Sequence, residues 1–112
     1  MPRIALRIAY IGIDFEGFQI QPGKRTIERE IFAALRELEL IEDPRKARYQ
    51  SAGRTDRGVH AIGQVIAFNT SKPELALPRI INTKLPETIW AWAHAKVPEN
   101  FDPRRHAIER EY

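Results

Sequence analysis

The sequence contains no cysteine, a single methionine and no long uninterrupted apolar run. Without cysteine the chain has no disulfide, no thiolate metal ligand and no cysteine nucleophile. Its three histidines, His60, His94 and His106, are far apart and form no known ligand spacing, so we expect no metal site. Nothing approaches the length of a membrane span or of a signal-peptide core. We therefore expect a cytoplasmic protein that does not enter the membrane.

The length and charge of the chain limit the kinds of protein it can be. With 112 residues, 43% of them hydrophobic, the chain is long enough for one compact domain and too short for two ordinary ones. Lys and Arg number 18 against 15 Asp and Glu, which gives a net charge of +3. This small excess is compatible with an anionic partner such as nucleic acid but does not require one.

The first half of the chain predicts a strand followed by a helix. Apolar residues alternate from Arg3 to Tyr10, which is typical of a half-buried strand. After a loop rich in glycine and aromatic residues, Thr26 is placed to cap a helix that we expect to run to about Leu40. One face of this helix is apolar, with Ile27, Ile31, Leu35 and Leu38.

The second half predicts two strands, a helical segment and a final strand. Residues 48–52 favour a short strand, and AIGQVIAFNT from Ala61 favours a central strand with both faces partly buried. Residues 73–85 have helical apolar spacing, and Pro78 is suited to a first helical turn. Residues 88–97 alternate as a fourth strand and place Trp90, Trp92 and His94 on one side. The order β-α-β-β-α-β predicts an α+β, ferredoxin-like antiparallel sheet with two helices on one face.

The stretch SAGRTDRGVHAIGQV, residues 51–65, is the part of the sequence that suggests chemistry. Gly53 and Gly58 bracket RTDR, which suits a tight loop that approaches a ligand. Asp56 follows Arg54 by two residues, so in extended backbone both side chains point to one side and can pair. An adjacent arginine would keep a buried carboxylate ionised. The alternative is a plain turn in which the aspartate caps its own loop.

The segment GRTDRGVHA closely resembles the active-site motif of the tRNA pseudouridine synthase A family. Further landmarks of that family follow in the same order and span almost the whole chain: Tyr10, Gly12, Phe15, Gly17, Phe18, Gln19, Gln21, Thr26, Glu28, Asn82, Leu85, Pro86, Phe101, Arg104, Arg110 and Tyr112. The resemblance implies an enzyme that isomerises uridine to pseudouridine in the anticodon stem-loop of tRNA, at positions 38 to 40, without cofactor or metal.

The resemblance also assigns catalytic roles. Asp56 would be the nucleophile, attacking either C6 of the uracil or C1′ of the ribose of a flipped-out nucleotide. Arg54 would hold Asp56 ionised, and it is also a candidate to enter the gap that the flipped base leaves. Tyr112 would stack on the uracil and is a candidate for removing the C5 proton.

Base flipping costs a few kcal/mol of unstacking, which phosphate contacts must help to offset. The sequence offers the following RNA-contact candidates: Arg57, His60, Lys24, Arg25, Gln19 and Gln21. Ordinary solvated charges, and glutamines that satisfy their own loop, are the alternative interpretation.

The family's enzymes have a second domain of similar fold, and their active-site cleft forms between the two halves. By this likeness residues 1–97 are a ferredoxin-like N-terminal domain, and residues 98–112 begin the segment that leads to a missing C-terminal domain. We therefore expect tRNA and that C-terminal domain as partners, a homodimeric parent enzyme, and an isolated chain that turns over little RNA.

Two other functions are compatible with the same topology. A non-catalytic RNA-binding module of the RRM type would need stacking aromatics on its sheet, but AIGQVIAFNT lacks the expected basic, glycine and aromatic pattern. Trp90 and Trp92 are equally explained by packing in a core or against another domain. An acylphosphatase-like hydrolase would need an arginine-containing phosphate loop after the first strand, where IGIDFEGF has none.

Overall fold

A computed structural model of the chain describes residues 1–12, 15–53 and 61–105, with backbone alone at 61 and 62. Its elements are β1 (Arg3–Tyr10), α1 (Ile27–Glu37), β2 (Gln50–Ser51), β3 (Ala61–Asn69), a 3₁₀ turn (Pro73–Leu75), α2 (Pro78–Ile81) and β4 (Ile89–Val97). The strands form one sheet in the order β2-β3-β1-β4, and every neighbouring pair is antiparallel. The predicted ferredoxin-like α+β fold is confirmed.

The hydrophobic core lies on one face of this sheet, which we call the core face; the opposite one is the outer face. Alternate β1 residues, Ile4 to Tyr10, point to the core face, and antiparallel pairing puts Ile66 and Phe68 of β3 beside them. The helices cover the same face, with Ile31 of α1 and Ile81 of α2 among the buried residues. Burial of these side chains is the main stabilising term of the fold.

Helix α1 begins as predicted but ends earlier. The Thr26 side chain accepts a hydrogen bond from the backbone N–H of Arg29 at 3.3 Å, which satisfies one of the free donors of the first turn. The last helical residue is Glu37 rather than Leu40. Glu39 has a φ of 59°, a left-handed conformation in which a helix stops.

Two other segments are shorter than expected. The second strand covers only Gln50–Ser51 because Arg48, with a φ of 52°, is not extended. The predicted helical segment 73–85 divides into the 3₁₀ turn and α2, and Pro78 is the first residue of α2, as expected. No helix in the described ranges is long and apolar enough to cross a membrane.

A bulge in β4 corrects the predicted side-chain directions. The pairing of β1 with β4 shifts register between Arg7 and Ile8, which leaves Trp92 as an extra residue of β4. Trp90 is therefore on the outer face, whereas the pairing puts His94 on the core face. The expectation that Trp90, Trp92 and His94 share one side is wrong, because a bulge interrupts strict alternation.

Arg3 joins the outer face of the sheet to the segment that follows β4. Its guanidinium is buried and donates to the backbone oxygens of Phe101 (3.0 Å) and Arg48 (2.9 Å), and to the side chains of Asn69 (3.1 Å) and Gln50 (2.6 Å). Burial lowers the pKa of Arg3, and the positive charge of Arg48 lowers it further. The four acceptors compensate this cationic group for its lost hydration.

Candidate functional site

A cleft of about 300 Å³ lies at the β2 edge of the sheet, beside the N-terminus of α1. Its walls are Phe18, Gln19, Glu28, Tyr49, Gln50, Ser51, Gly53 and Arg104. Gly53 is the last described residue before the RTDRGVH segment, so the cleft lies where that segment leaves the sheet. A larger cavity of about 610 Å³ lies at the opposite end of β3, near Asn69 and the end of α1, away from the motif.

Hydrogen bonds fix both ends of the RTDRGVH segment. On the entering side Ala52 donates to the carbonyl of Val65 at 2.8 Å, and the Gln64 side chain donates to the carbonyl of Gly53 at 3.0 Å. On the leaving side Ala61 pairs with Tyr10 of β1. The segment therefore connects two fixed points of the sheet, an arrangement suited to presenting reactive side chains from a rigid scaffold.

The loop before α1 is held by the first turn of the helix. The backbone N–H groups of Ile27 and Glu28, which lack partners inside the helix, donate to the carbonyls of Gly17 (3.2 Å) and Phe18 (2.9 Å). The Glu28 carboxylate in turn accepts from the backbone N–H of Ile20 at 2.9 Å. Glu28 thus positions the chain that forms one wall of the cleft.

Glu28 and Tyr49 form the buried polar part of the cleft. Burial raises the pKa of the Tyr49 hydroxyl well above its usual value, and the nearby Glu28 carboxylate raises it further. Within the described ranges the buried Tyr49 hydroxyl has no partner at hydrogen-bond distance and angle, so Glu28 influences it mainly as a neighbouring charge. The high pKa keeps Tyr49 protonated at neutral pH, and it is therefore not a base.

The structure brings one of the predicted loop contacts to the cleft. Gln19 lines the cleft and is exposed. Gln21, Lys24 and Arg25 are also exposed, but they lie on the adjoining turn and do not line the cleft. The Arg25 guanidinium stacks over the Phe15 ring with 4.7 Å between its central carbon and the ring centroid, which restrains its direction.

The remaining predicted site residues lie outside the described residues. They are Arg54, Asp56, Arg57, His60 and Tyr112. Their predicted roles stay predictions.

Of the eight residues that line the cleft, only Gln19 was a predicted site residue, and three of the others matter most for its chemistry. Arg104 was only a landmark of the family likeness, yet its exposed guanidinium brings a positive charge to the cleft, 3.8 Å from Asp102. Glu28 was likewise a landmark, and Tyr49 had no sequence signal at all. Among its described residues the cleft offers the Arg104 guanidinium, the Glu28 carboxylate, glutamine amide groups and an aromatic wall, a set suited to binding a polar ligand rather than to reacting with it.

The sequence matches known proteins over nearly its whole length. A family model described as tRNA pseudouridine synthase matches residues 7–104. The chain is similar to the tRNA pseudouridine synthase A of Methanococcoides burtonii (64% identical over 110 residues), of Methanosarcina mazei (63% over 110) and of Thermococcus sibiricus (54% over 110). These matches cover 98% of this chain but only 40% or 41% of each relative. The chain belongs to the tRNA pseudouridine synthase family.

Proposed function

We propose that this chain is the aspartate-bearing part of an enzyme that isomerises uridine to pseudouridine in the anticodon stem-loop of tRNA. The observation that carries the proposal is the sequence GRTDRGVHA, inside the family match over residues 7–104. The fixed ends of this segment at Gly53 and Ala61, and the polar cleft beside Gly53, support it.

In the proposed reaction Asp56 acts as the nucleophile. Its carboxylate attacks either C6 of the uracil or C1′ of the ribose, the bond between N1 and C1′ breaks, and the uracil turns while it is held in the site. C5 then bonds to C1′, Asp56 leaves, the C5 proton is removed, for which Tyr112 is the candidate base, and N1 takes up a proton in its place. No atom is gained or lost overall, so the reaction needs no co-reactant. Arg54 keeps the Asp56 carboxylate ionised.

The side chains around the motif are proposed to hold the RNA. Gln19 and Arg104 line the cleft, and we propose that they contact the nucleotides that flank the reacting one. Lys24, Arg25 and Gln21 on the adjoining turn, with Arg57 and His60 in the motif, are proposed to contact phosphates farther along the strand. The remainder of the enzyme, as a C-terminal domain within a homodimer, is proposed to close the site.

The test is tritium release from C5-labelled uridine in an anticodon stem-loop RNA, using the full-length enzyme that contains this chain. Asp56→Asn keeps the size of the side chain but removes the nucleophile, and we expect it to lower the rate by about a thousandfold or more. RNA affinity should stay within about threefold of the parent value, because phosphate contacts dominate binding.

The matched control is Asp43→Asn. The Asp43 side chain accepts from the backbone N–H of Arg45 at 2.9 Å, which an asparagine oxygen can also do, and it lines the larger cavity away from the motif. It should release tritium at the parental rate. Parental release by Asp56→Asn would contradict the assignment of Asp56, and RNA binding without release by any form would favour the non-catalytic RNA-binding module.

A further inference from the structure

The outer face carries an exposed aromatic and cationic surface that the proposed reaction does not use. We call Arg7, Gly63, Trp90 and Trp92 the tryptophan patch. Trp90 is 39% exposed and Trp92 is 48% exposed, so they do not pack in the core of this domain, whereas their packing against another domain stays a prediction. They are the only two tryptophans of the chain.

Arg7 connects the patch across three strands. The central carbon of its guanidinium lies 5.8 Å from the centroid of the Trp92 ring on β4. On the other side of β1, a Cβ atom placed on Gly63 of β3 would lie 3.6 Å from Nη1 of Arg7. The guanidinium and the indole therefore form one surface, in which an aromatic plane and a positive charge are side by side.

The strand residues around the patch have small side chains, and none of those described is negatively charged. Strand pairing puts the small residues Ala5, Ala9 and Ala93 on the same face. Among the described strand positions of the outer face, the charged residues are Arg3, which is buried, and Arg7, which is partly exposed. The carboxylate of Asp102, after β4, acts on Arg3. The small alanine side chains leave the two indole rings partly exposed, and the charge of Arg7 favours an anionic ligand.

The patch adjoins the end of the RTDRGVH segment. Ala61, where that segment rejoins the sheet, pairs with Tyr10, and Tyr10 in turn pairs with Ile89 on β4. Trp90 is the next residue, and Gly63 lies two positions after Ala61. An extended strand that leaves the motif across the outer face would therefore reach the patch directly.

We propose that the tryptophan patch stacks unpaired bases of RNA next to the reacting nucleotide, while Arg7 neutralises an adjacent phosphate. Bases stack on aromatic rings whatever their sequence, and a nearby cation attracts the phosphate backbone. The proposal rests on the proposed function only in taking RNA as the substrate. A second copy of this chain would equally cover exposed indoles, but it would not use the positive charge of a face that is itself positive.

The 112-residue chain provides a direct test, because all of its tryptophan fluorescence comes from the patch. The probe is a ten-nucleotide single-stranded RNA, and its affinity is measured separately from the anisotropy of a fluorescein label on the RNA. We expect the RNA to quench the indole emission, whereas heparin, a polyanion without bases, should bind without comparable quenching. Trp92→Leu should weaken RNA affinity about tenfold, and Trp92→Phe, which keeps a ring, less than about threefold.

Arg7→Gln should weaken affinity and reduce the salt dependence of log K by about 0.7, the value of one phosphate contact in a single strand. The matched control is Arg36→Gln, since Arg36 is exposed on α1, on the other side of the sheet. It should leave quenching unchanged. All variants are compared at equal folded fraction, checked by thermal unfolding.

Four outcomes would overturn the proposal: no quenching by RNA, equal quenching by heparin, equal affinity of the Leu and Phe variants, or an indole shift that depends on protein concentration alone, which would assign the patch to a second copy. Failure of the proposed function can be distinguished from failure of the tryptophan-patch proposal. It would abolish tritium release in every form of the full-length enzyme, whereas quenching in the 112-residue chain does not depend on Asp56.

Discussion

Arg3 is a cation placed inside the molecule. Its partners belong to four separate stretches of the chain: the turn before β2, β2 itself, β3 and the segment after β4. A buried charge is tolerated only when its hydrogen-bonding groups are satisfied, and here a planar guanidinium meets four oxygens at once. The alternating pattern of β1 predicted that residue 3 lies opposite the core but could not predict that it is buried.

We predict that Arg3→Lys lowers the free energy of unfolding by about 2 kcal/mol. Lysine keeps the charge, but a single ammonium cannot reach all four oxygens, and each buried acceptor without a donor costs about 1 to 3 kcal/mol. Urea denaturation measures the change, with the exposed Arg36→Lys as the control, which should shift stability by less than about 0.5 kcal/mol. A similarly small effect of Arg3→Lys would show that the four hydrogen bonds contribute little.

At the scale of the elements, Asn82 fastens α2 to the edge strand. Its side-chain amide donates to the carbonyl of Ala91 at 2.9 Å, and its oxygen accepts from the N–H of Ala91 at 2.7 Å. Both backbone groups of one β4 residue are thus paired with a single side chain, on the strand side that has no neighbouring strand. This gives a structural reason for Asn82, one of the landmarks of the family likeness.

We predict that Asn82→Ala costs about 2 kcal/mol of unfolding free energy, because two hydrogen bonds to the Ala91 backbone are lost together. Asn82→Asp keeps the acceptor but sets a carboxylate oxygen against the Ala91 carbonyl, so at neutral pH it should be at least as unstable as the alanine variant. Urea denaturation of both variants tests this order, and an aspartate variant close to the parent in stability would contradict it. Hydrogen exchange of the Ala91 backbone N–H should become faster as the free energy of unfolding falls.

The same elements show how far the sequence could predict the structure. Alternation located β1 to the residue, and Thr26 and Pro78 were recognised as helix starts, because these signals act within a few residues. The bulge at Trp92 could not be foreseen, since it arises from the pairing of β4 with β1. The cleft is similar: Gln19 had a local signal, but Tyr49 and Arg104 reach it only through the path of the chain in three dimensions.

At the scale of the whole molecule, the chain spans only about 40% of the length of each relative, and this limits the activity that we expect of it. We predict that the 112-residue chain releases no measurable tritium from C5-labelled uridine in a stem-loop RNA under multiple-turnover conditions, although it is folded. The reason is that the family likeness implies a cleft formed between two domains, and this chain spans only about 40% of each relative. Measurable multiple-turnover release by the isolated chain would contradict this prediction.

The position of β1 in the sheet has a consequence for how the chain is made. β1 is the first described strand to be synthesised, yet it pairs with β3 and β4, and Arg3 binds the Phe101 carbonyl 98 residues later. Its apolar residues therefore have no strand partners until β3 and then β4 have been synthesised. Folds closed by such distant contacts form slowly, and their unfinished chains tend to aggregate. A nascent chain that ends before β4 should thus expose the apolar residues of β1 along the edge that β4 later covers.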